Sequence, residues 1–141
     1  MILYLDTSAL VKAYIAEEFS HEVMSHISHA DIIATHRIAF IEAHAAFARL
    51  SRENKLTDVA LMTTKQAFVN DWGNYLQIEN TQALMEHAVD LAEAFALRAY
   101  DSVHLAAAAM LSKQSNQMIT FACFDRHLNK AAKVLGLQLL S

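Results

Sequence analysis

Short apolar runs that stop at an acidic residue constrain this chain more than any other feature. Ile2-Leu3-Tyr4-Leu5 gives way to Asp6-Thr7-Ser8, and Met118-Ile119-Thr120-Phe121-Ala122-Cys123-Phe124 gives way to Asp125-Arg126. Runs of this length read as strands buried on both faces. An aspartate directly after a strand suits the first residue of the helix that follows. Further strands are expected at 31–35, more weakly at 75–78, and at 137–140 after the stop at Gly136. Between them the pattern predicts helices over 8–15, 20–28 with Ser20 as cap, 37–53, 57–71 from Thr57, 81–96 from Thr81, 101–111 from Asp101, and 126–134. Strands alternating with helices imply an α/β sandwich around a mainly parallel sheet.

The length of 141 residues fits one domain, expected to span 1–141. Of the residues 55% are apolar, and much of that share is alanine, which suits closely packed helices. No apolar run approaches the roughly 20 residues that cross a bilayer. The opening Met1-Ile2-Leu3-Tyr4-Leu5-Asp6 lacks the basic stretch of a signal peptide. A single cysteine, Cys123, has no internal partner, so a cytoplasmic, membrane-free protein is expected.

In parallel sheets ligands bind beyond the carboxyl ends of the strands, where strand order switches. Asp6 and Asp125 should both emerge at that edge. Each also reads as a helix cap, as does Asp101. Glu42 is different, because its helical neighbours Ile38, Ala39, Ala45 and Ala46 are all apolar. A half-buried glutamate needs a cationic partner, for which Arg49 is the candidate, or a metal. Four carboxylates converging on one point stay ionised only around a cation. Oxygen-only donors favour Mg²⁺ or Mn²⁺ over Zn²⁺, and the chemistry such a site supports is phosphodiester hydrolysis.

With those residues in place, Tyr4-Leu5-Asp6-Thr7-Ser8-Ala9-Leu10-Val11-Lys12, Glu42, Arg98-Ala99-Tyr100-Asp101-Ser102-Val103-His104-Leu105-Ala106-Ala107-Ala108 and Phe124-Asp125-Arg126 resemble the PIN-domain ribonucleases. The likeness extends over the whole chain and is strongest to VapC, the toxin of bacterial and archaeal toxin–antitoxin pairs. It implies a three-layer sandwich whose five-stranded parallel sheet is flanked by helices. It implies an Mg²⁺- or Mn²⁺-dependent endoribonuclease with Asp6, Glu42, Asp101 and Asp125 as catalytic metal ligands and a Thr7 or Ser8 hydroxyl nearby. It also implies an RNA substrate, a small antitoxin partner and a homodimer. Cys123 departs from the Ser or Thr that the family often carries two residues before its last aspartate.

The net charge of −4 opposes a nucleic-acid partner unless some of the fifteen acids are neutralised by metal. Lys12, Arg49, Arg98 and Arg126 then remain as phosphate contacts, although each also reads as an ordinary surface charge. The histidines show no zinc spacing: His21, His26 and His29 do not share a helical face, and His44 points away from Glu42. His104, one turn after Asp101, reads as a packed or capping residue. Phe40, Phe47, Phe68, Trp72 and Phe95 read as core or dimer contacts. Two other functions compete. A phosphatase with Asp6 as nucleophile is opposed by Ser8, where haloacid dehalogenases place a second aspartate. A catalytically weak PIN-fold protein-binding module is kept open by Cys123.

Overall fold

The computed structural model describes residues 1–140. In chain order the elements are β1 (Ile2–Leu5), α1 (Thr7–Lys12), α2 (Ser20–His29), β2 (Ile32–His36), α3 (Ala39–Arg52), α4 (Asp58–Trp72), β3 (Leu76–Ile78), α5 (Gln82–Phe95), α6 (Ala99–Ser115), β4 (Ile119–Ala122), α7 (Arg126–Val134) and β5 (Gln138–Leu139). The five strands form one sheet in the order β3-β2-β1-β4-β5, and every pairing is parallel.

β1 is central and wholly buried, which explains its uninterrupted apolar run. Its side chains alternate between two cores. Ile2 and Tyr4 join Leu84, Leu105, Phe121 and Leu128 on the face covered by α5, α6 and α7. Leu3 and Leu5 join Leu10, Val23, Phe47 and Phe68 on the face covered by α1 to α4. The alanines of α6 (Ala106, Ala107 and Ala108) are fully buried, because only short side chains let that helix lie so close to the sheet. The chain adds β2 and β3 on one side of β1, then crosses to place β4 on the other. The switch in strand order therefore lies between β1 and β4, where Asp6 and Asp125 leave the sheet.

Caps at Thr57 and Thr81 are as expected, each hydroxyl accepting the N–H three residues on. Three boundaries differ. α1 ends at Lys12, because Ala13 N–H and Tyr14 N–H turn back to Leu10 and Val11. Phe19, at φ 69°, rather than Ser20 precedes α2, and the Ser20 hydroxyl instead bonds the Ile15 carbonyl. α6 begins after Arg98, so Asp101 sits within its first turn instead of capping it, and the helix runs on to Ser115.

An aromatic cluster fills the core under α3 and α4. Phe68 is fully buried and packs against Tyr14, Phe40, His44, Phe47 and Trp72. Phe68→Ala is expected to cost about 3–5 kcal/mol of unfolding free energy in a urea titration. Val59→Ala on the exposed side of the same helix should change it by less than about 0.5 kcal/mol. Equal losses at the two positions would contradict this packing.

Candidate active site

The end of β1 is pinned before any functional group is placed. The Thr35 hydroxyl donates to the Leu5 carbonyl at 2.7 Å, and the Asp6 N–H donates to Ala122 O at 3.1 Å. Asp6 thus leaves the sheet from a fixed backbone and caps α1. Its Oδ1 accepts from Ala9 N–H at 2.9 Å and from the Ser8 hydroxyl at 2.7 Å. Asp6 is 5% exposed, and burial pushes its pKa up. His104, those two donors and the Cys123 thiol pull the other way without reversing the shift. No Lys or Arg forms an ion pair with Asp6 among the described residues.

Beside it lies a chain of hydrogen bonds. Glu42 Oε1 accepts from the Thr7 hydroxyl at 2.6 Å and faces His104 Nε2 at 2.9 Å. His104 Nδ1 lies 2.8 Å from the Tyr4 hydroxyl. Burial and then the Asp6 charge push the Tyr4 pKa well up, so the hydroxyl keeps its proton while it bonds Nδ1. His104 Nε2–H donates to the Glu42 carboxylate, which can only accept. Burial pushes the Glu42 carboxyl up, but the bonds from His104 and Thr7 outweigh it and hold the pKa below the usual glutamate value. Arg49, the cation considered for Glu42 from sequence, makes no ion pair with it among the described residues. Instead, Arg49 and Arg52 line a shallow cavity of about 370 Å³ with Thr7, Glu42, Ala45 and Ala46.

The other two acids stand at the rim. Asp101 lies one turn before His104 on α6, with Arg98 Nε 3.4 Å from its Oδ2. Asp125 is exposed and caps α7, accepting from Leu128 N–H at 2.8 Å. Cys123 Sγ accepts the Asp125 N–H at 3.3 Å, so the sulfur serves as the acceptor at this turn. Burial, with the nearby Asp6 charge, pushes the thiol pKa up and keeps it protonated. Asn129 holds the Cys123 carbonyl at 2.9 Å.

Asp6 and Asp125 leave the adjacent parallel strands β1 and β4, and Glu42 meets Thr7 next to Asp6, while Asp101 and Asp125 each engage a local partner. Among the described residues, no three His, Cys, Asp or Glu side chains are gathered tightly enough to hold a metal ion as they stand. The chemistry of the donors nevertheless fits a hard divalent cation: all are carboxylate oxygens, and Asp6 is a buried carboxylate without a cationic side chain. Of the basic candidates, Lys12 is committed to Glu17 at 2.9 Å and lies over the Phe124 ring. His44 turns into the aromatic cluster, away from Glu42, as expected. His104 is the residue that sequence reasoning undervalued. The signal available was a polar side chain inside a run of small apolar residues, where burial demands partners.

No family model matches the chain. Over 135 residues, 96% of this chain and 92% of the relative, it is 31% identical to Ribonuclease VapC45 of Mycobacterium tuberculosis (strain CDC 1551 / Oshkosh). Ribonuclease VapC49 of strain ATCC 25618 / H37Rv matches with the same figures. In fold the chain is similar to PAE2754 from Pyrobaculum aerophilum, with a TM-score of 0.68 at 18% identity, covering 99% of this chain and 84% of the other. It is also similar to a chain of a toxin–antitoxin complex from Klebsiella pneumoniae, with a TM-score of 0.58 at 14% identity, covering 84% and 83%.

A raised Asp6 pKa has a consequence for stability. The unfolded carboxyl titrates near 3.9, so between that value and the higher folded one the native state binds more protons. Asp6 therefore favours folding in acid and opposes it as pH rises through the folded pKa. Asparagine keeps the Oδ1 acceptor for Ala9 and Ser8 without the charge. In EDTA at pH 7, Asp6→Asn should melt above wild type. The gap should close as pH falls towards 4, and calorimetry showing a lower Tm at pH 7 would reverse the reading.

Proposed function

The chain belongs to the VapC family of PIN-domain ribonucleases, and from that premise we propose that it is an Mg²⁺- or Mn²⁺-dependent endoribonuclease acting as the toxin of a toxin–antitoxin pair. The observation that carries the reading is the buried Asp6 at the switch in strand order, flanked by the Thr7–Glu42–His104 network. Asp6, Glu42, Asp101 and Asp125 would hold the metal. When bound, the ion supplies Lewis-acid polarisation of the phosphodiester and acidifies a water molecule for attack.

The chain's own residues do the positioning. Ala9 N–H and the Ser8 hydroxyl fix the Asp6 carboxylate through Oδ1, so its orientation is set before a cation would bind. Thr7 and His104 both grip Oε1 of Glu42, so the rotamer of that side chain is set before substrate arrives. Tyr4 holds the His104 ring in place from behind. Cys123 shapes the turn that presents Asp125. Arg49 and Arg52, which line a cavity with Glu42 on α3, would meet RNA phosphates and so offset the acidic net charge locally.

Family membership also supports the partners: an RNA substrate, a small cognate antitoxin and a second copy of the chain, in the cytoplasm. The Klebsiella relative was solved as a toxin–antitoxin complex, and an antitoxin is proposed here on the same pattern. Cys123, the residue that motivates the alternative of a weak protein-binding module, accepts the Asp125 N–H through its sulfur.

Purified protein incubated with total RNA should give discrete fragments with Mg²⁺ or Mn²⁺ and none with EDTA. Asp6→Asn and Asp101→Asn should each lower the rate by about 100-fold or more without unfolding the protein, since residues that merely support a metal ligand are worth roughly 10–100-fold. Full activity in either variant would sink the site assignment.

A further inference from the structure

One cavity is lined by none of the four acids. With a volume of about 580 Å³, it lies at the ends of β2 and β3, lined by His36, Arg37, Phe40, Ile41, Trp72 and Asn80 among others. Its size falls within the range of about 300–1,000 Å³ typical of small-molecule sites. His36 is 2% exposed, and its Nδ1 accepts the Ile38 N–H at 2.9 Å. The proton of the neutral ring therefore sits on Nε2, which is buried with no hydrogen-bond partner among the described residues. Asn80 stands close enough to act on the ring but does not complete a bond to Nε2. Burial, reinforced by the nearby His104, lowers the His36 pKa and keeps the ring neutral. A buried donor left unpaired in a cavity wall is what a ligand acceptor would satisfy.

The geometry points to this cavity as the subsite for an unpaired nucleobase of the RNA next to the scissile phosphate, with His36 Nε2–H as the donor that reads the base edge. This rests on the ribonuclease reading above. Phe40 and Trp72, whose ring centroids are 5.1 Å apart, contribute aromatic surface to the wall, the kind of surface on which unpaired bases stack. Asn80 carries both donor and acceptor, the combination that reads a base edge. The charges at the mouth cancel, since Arg37 pairs with Glu79 at 3.1 Å, which suits a flat neutral group better than a lone phosphate. Position gives the link to catalysis. The His36 and His104 rings are 6.4 Å apart, and Ile38, whose N–H His36 accepts, lies one turn before Glu42 on the same helical path.

Trp72 is the only tryptophan, so its fluorescence reports on the cavity directly. The probes are AMP, GMP, CMP, UMP and ribose 5-phosphate, titrated in EDTA so that no cleavage is needed. At least one nucleotide should quench Trp72 saturably while ribose 5-phosphate does not. His36→Asn retains an acceptor for Ile38 N–H but removes the cavity donor, and should weaken binding by about tenfold, the loss that goes with one hydrogen bond. His36→Gln restores a donor near the Nε2 position and should stay within about threefold of wild type. Should His36→Asn fail to fold, Asn80→Ala at an exposed position must weaken the same nucleotide. With Mg²⁺ and RNA, His36→Asn should shift the distribution of cut sequences. Quenching by ribose 5-phosphate equal to that by nucleotides, or unchanged binding in His36→Asn, overturns the proposal. So does blindness to all four nucleotides, the result expected if a protein side chain fills the cavity. RNA cleavage without nucleotide quenching would remove the base subsite and leave the nuclease reading standing. His36-dependent quenching without cleavage would support the subsite and remove the nuclease reading.

Discussion

The hydrogen-bond chain from Tyr4 through His104 to Glu42 and Thr7 is the contact on which the rest of the site depends. Tyr4 lies in the core beneath α6, while α1 and α3, which carry Thr7 and Glu42, cover the opposite face of the sheet. The network therefore crosses the edge of the sheet and ties one helical layer to the other. Its two inner members lack water as an alternative partner, since His104 is 2% exposed and Tyr4 is fully buried. In such surroundings a broken link leaves a donor or acceptor unpaired, which costs more than the bond itself contributes. That asymmetry makes the geometry at Glu42 rigid without any metal.

Asp6 follows the opposite logic. Its carboxylate is fixed by an N-cap and a neighbouring hydroxyl, but these do not offset the loss of water around it. A purely structural cap would gain nothing from such burial, since asparagine or serine would serve as well. The residue is thus held in a state that favours proton or cation uptake, while Glu42 nearby is held in a state that favours charge. Two carboxylates with environments that push in opposite directions are more informative than either alone.

Much of this was legible in the sequence because strand ends carry their own punctuation. A run such as Ile2–Leu5 can only be buried, and Asp6 after it must appear at the carboxyl edge. The same reasoning placed Asp125, and the apolar neighbours of Glu42 forecast its partial burial. What periodicity could not supply was the identity of partners across the fold. Glu42 meets a histidine 62 positions away rather than Arg49 on its own helix. His36 gave no signal at all, since a histidine at the end of an apolar strand matches no motif. The start of α6 was misplaced because an aspartate fits the first turn of a helix as well as its cap.

Helix α3 joins these observations into one device. Its entry is set by His36, which accepts the Ile38 N–H, and Ile38 O in turn accepts the Glu42 N–H at 3.1 Å. One turn of backbone therefore separates the ring that lines the cavity from the carboxylate gripped by Thr7 and His104. A ligand that shifted His36 would have to move the first turn of α3, and the two bonds to Glu42 Oε1 resist that movement. Rigidity at Glu42 consequently makes the cavity selective by shape, because the wall cannot yield to a poorly fitting group without breaking a buried network.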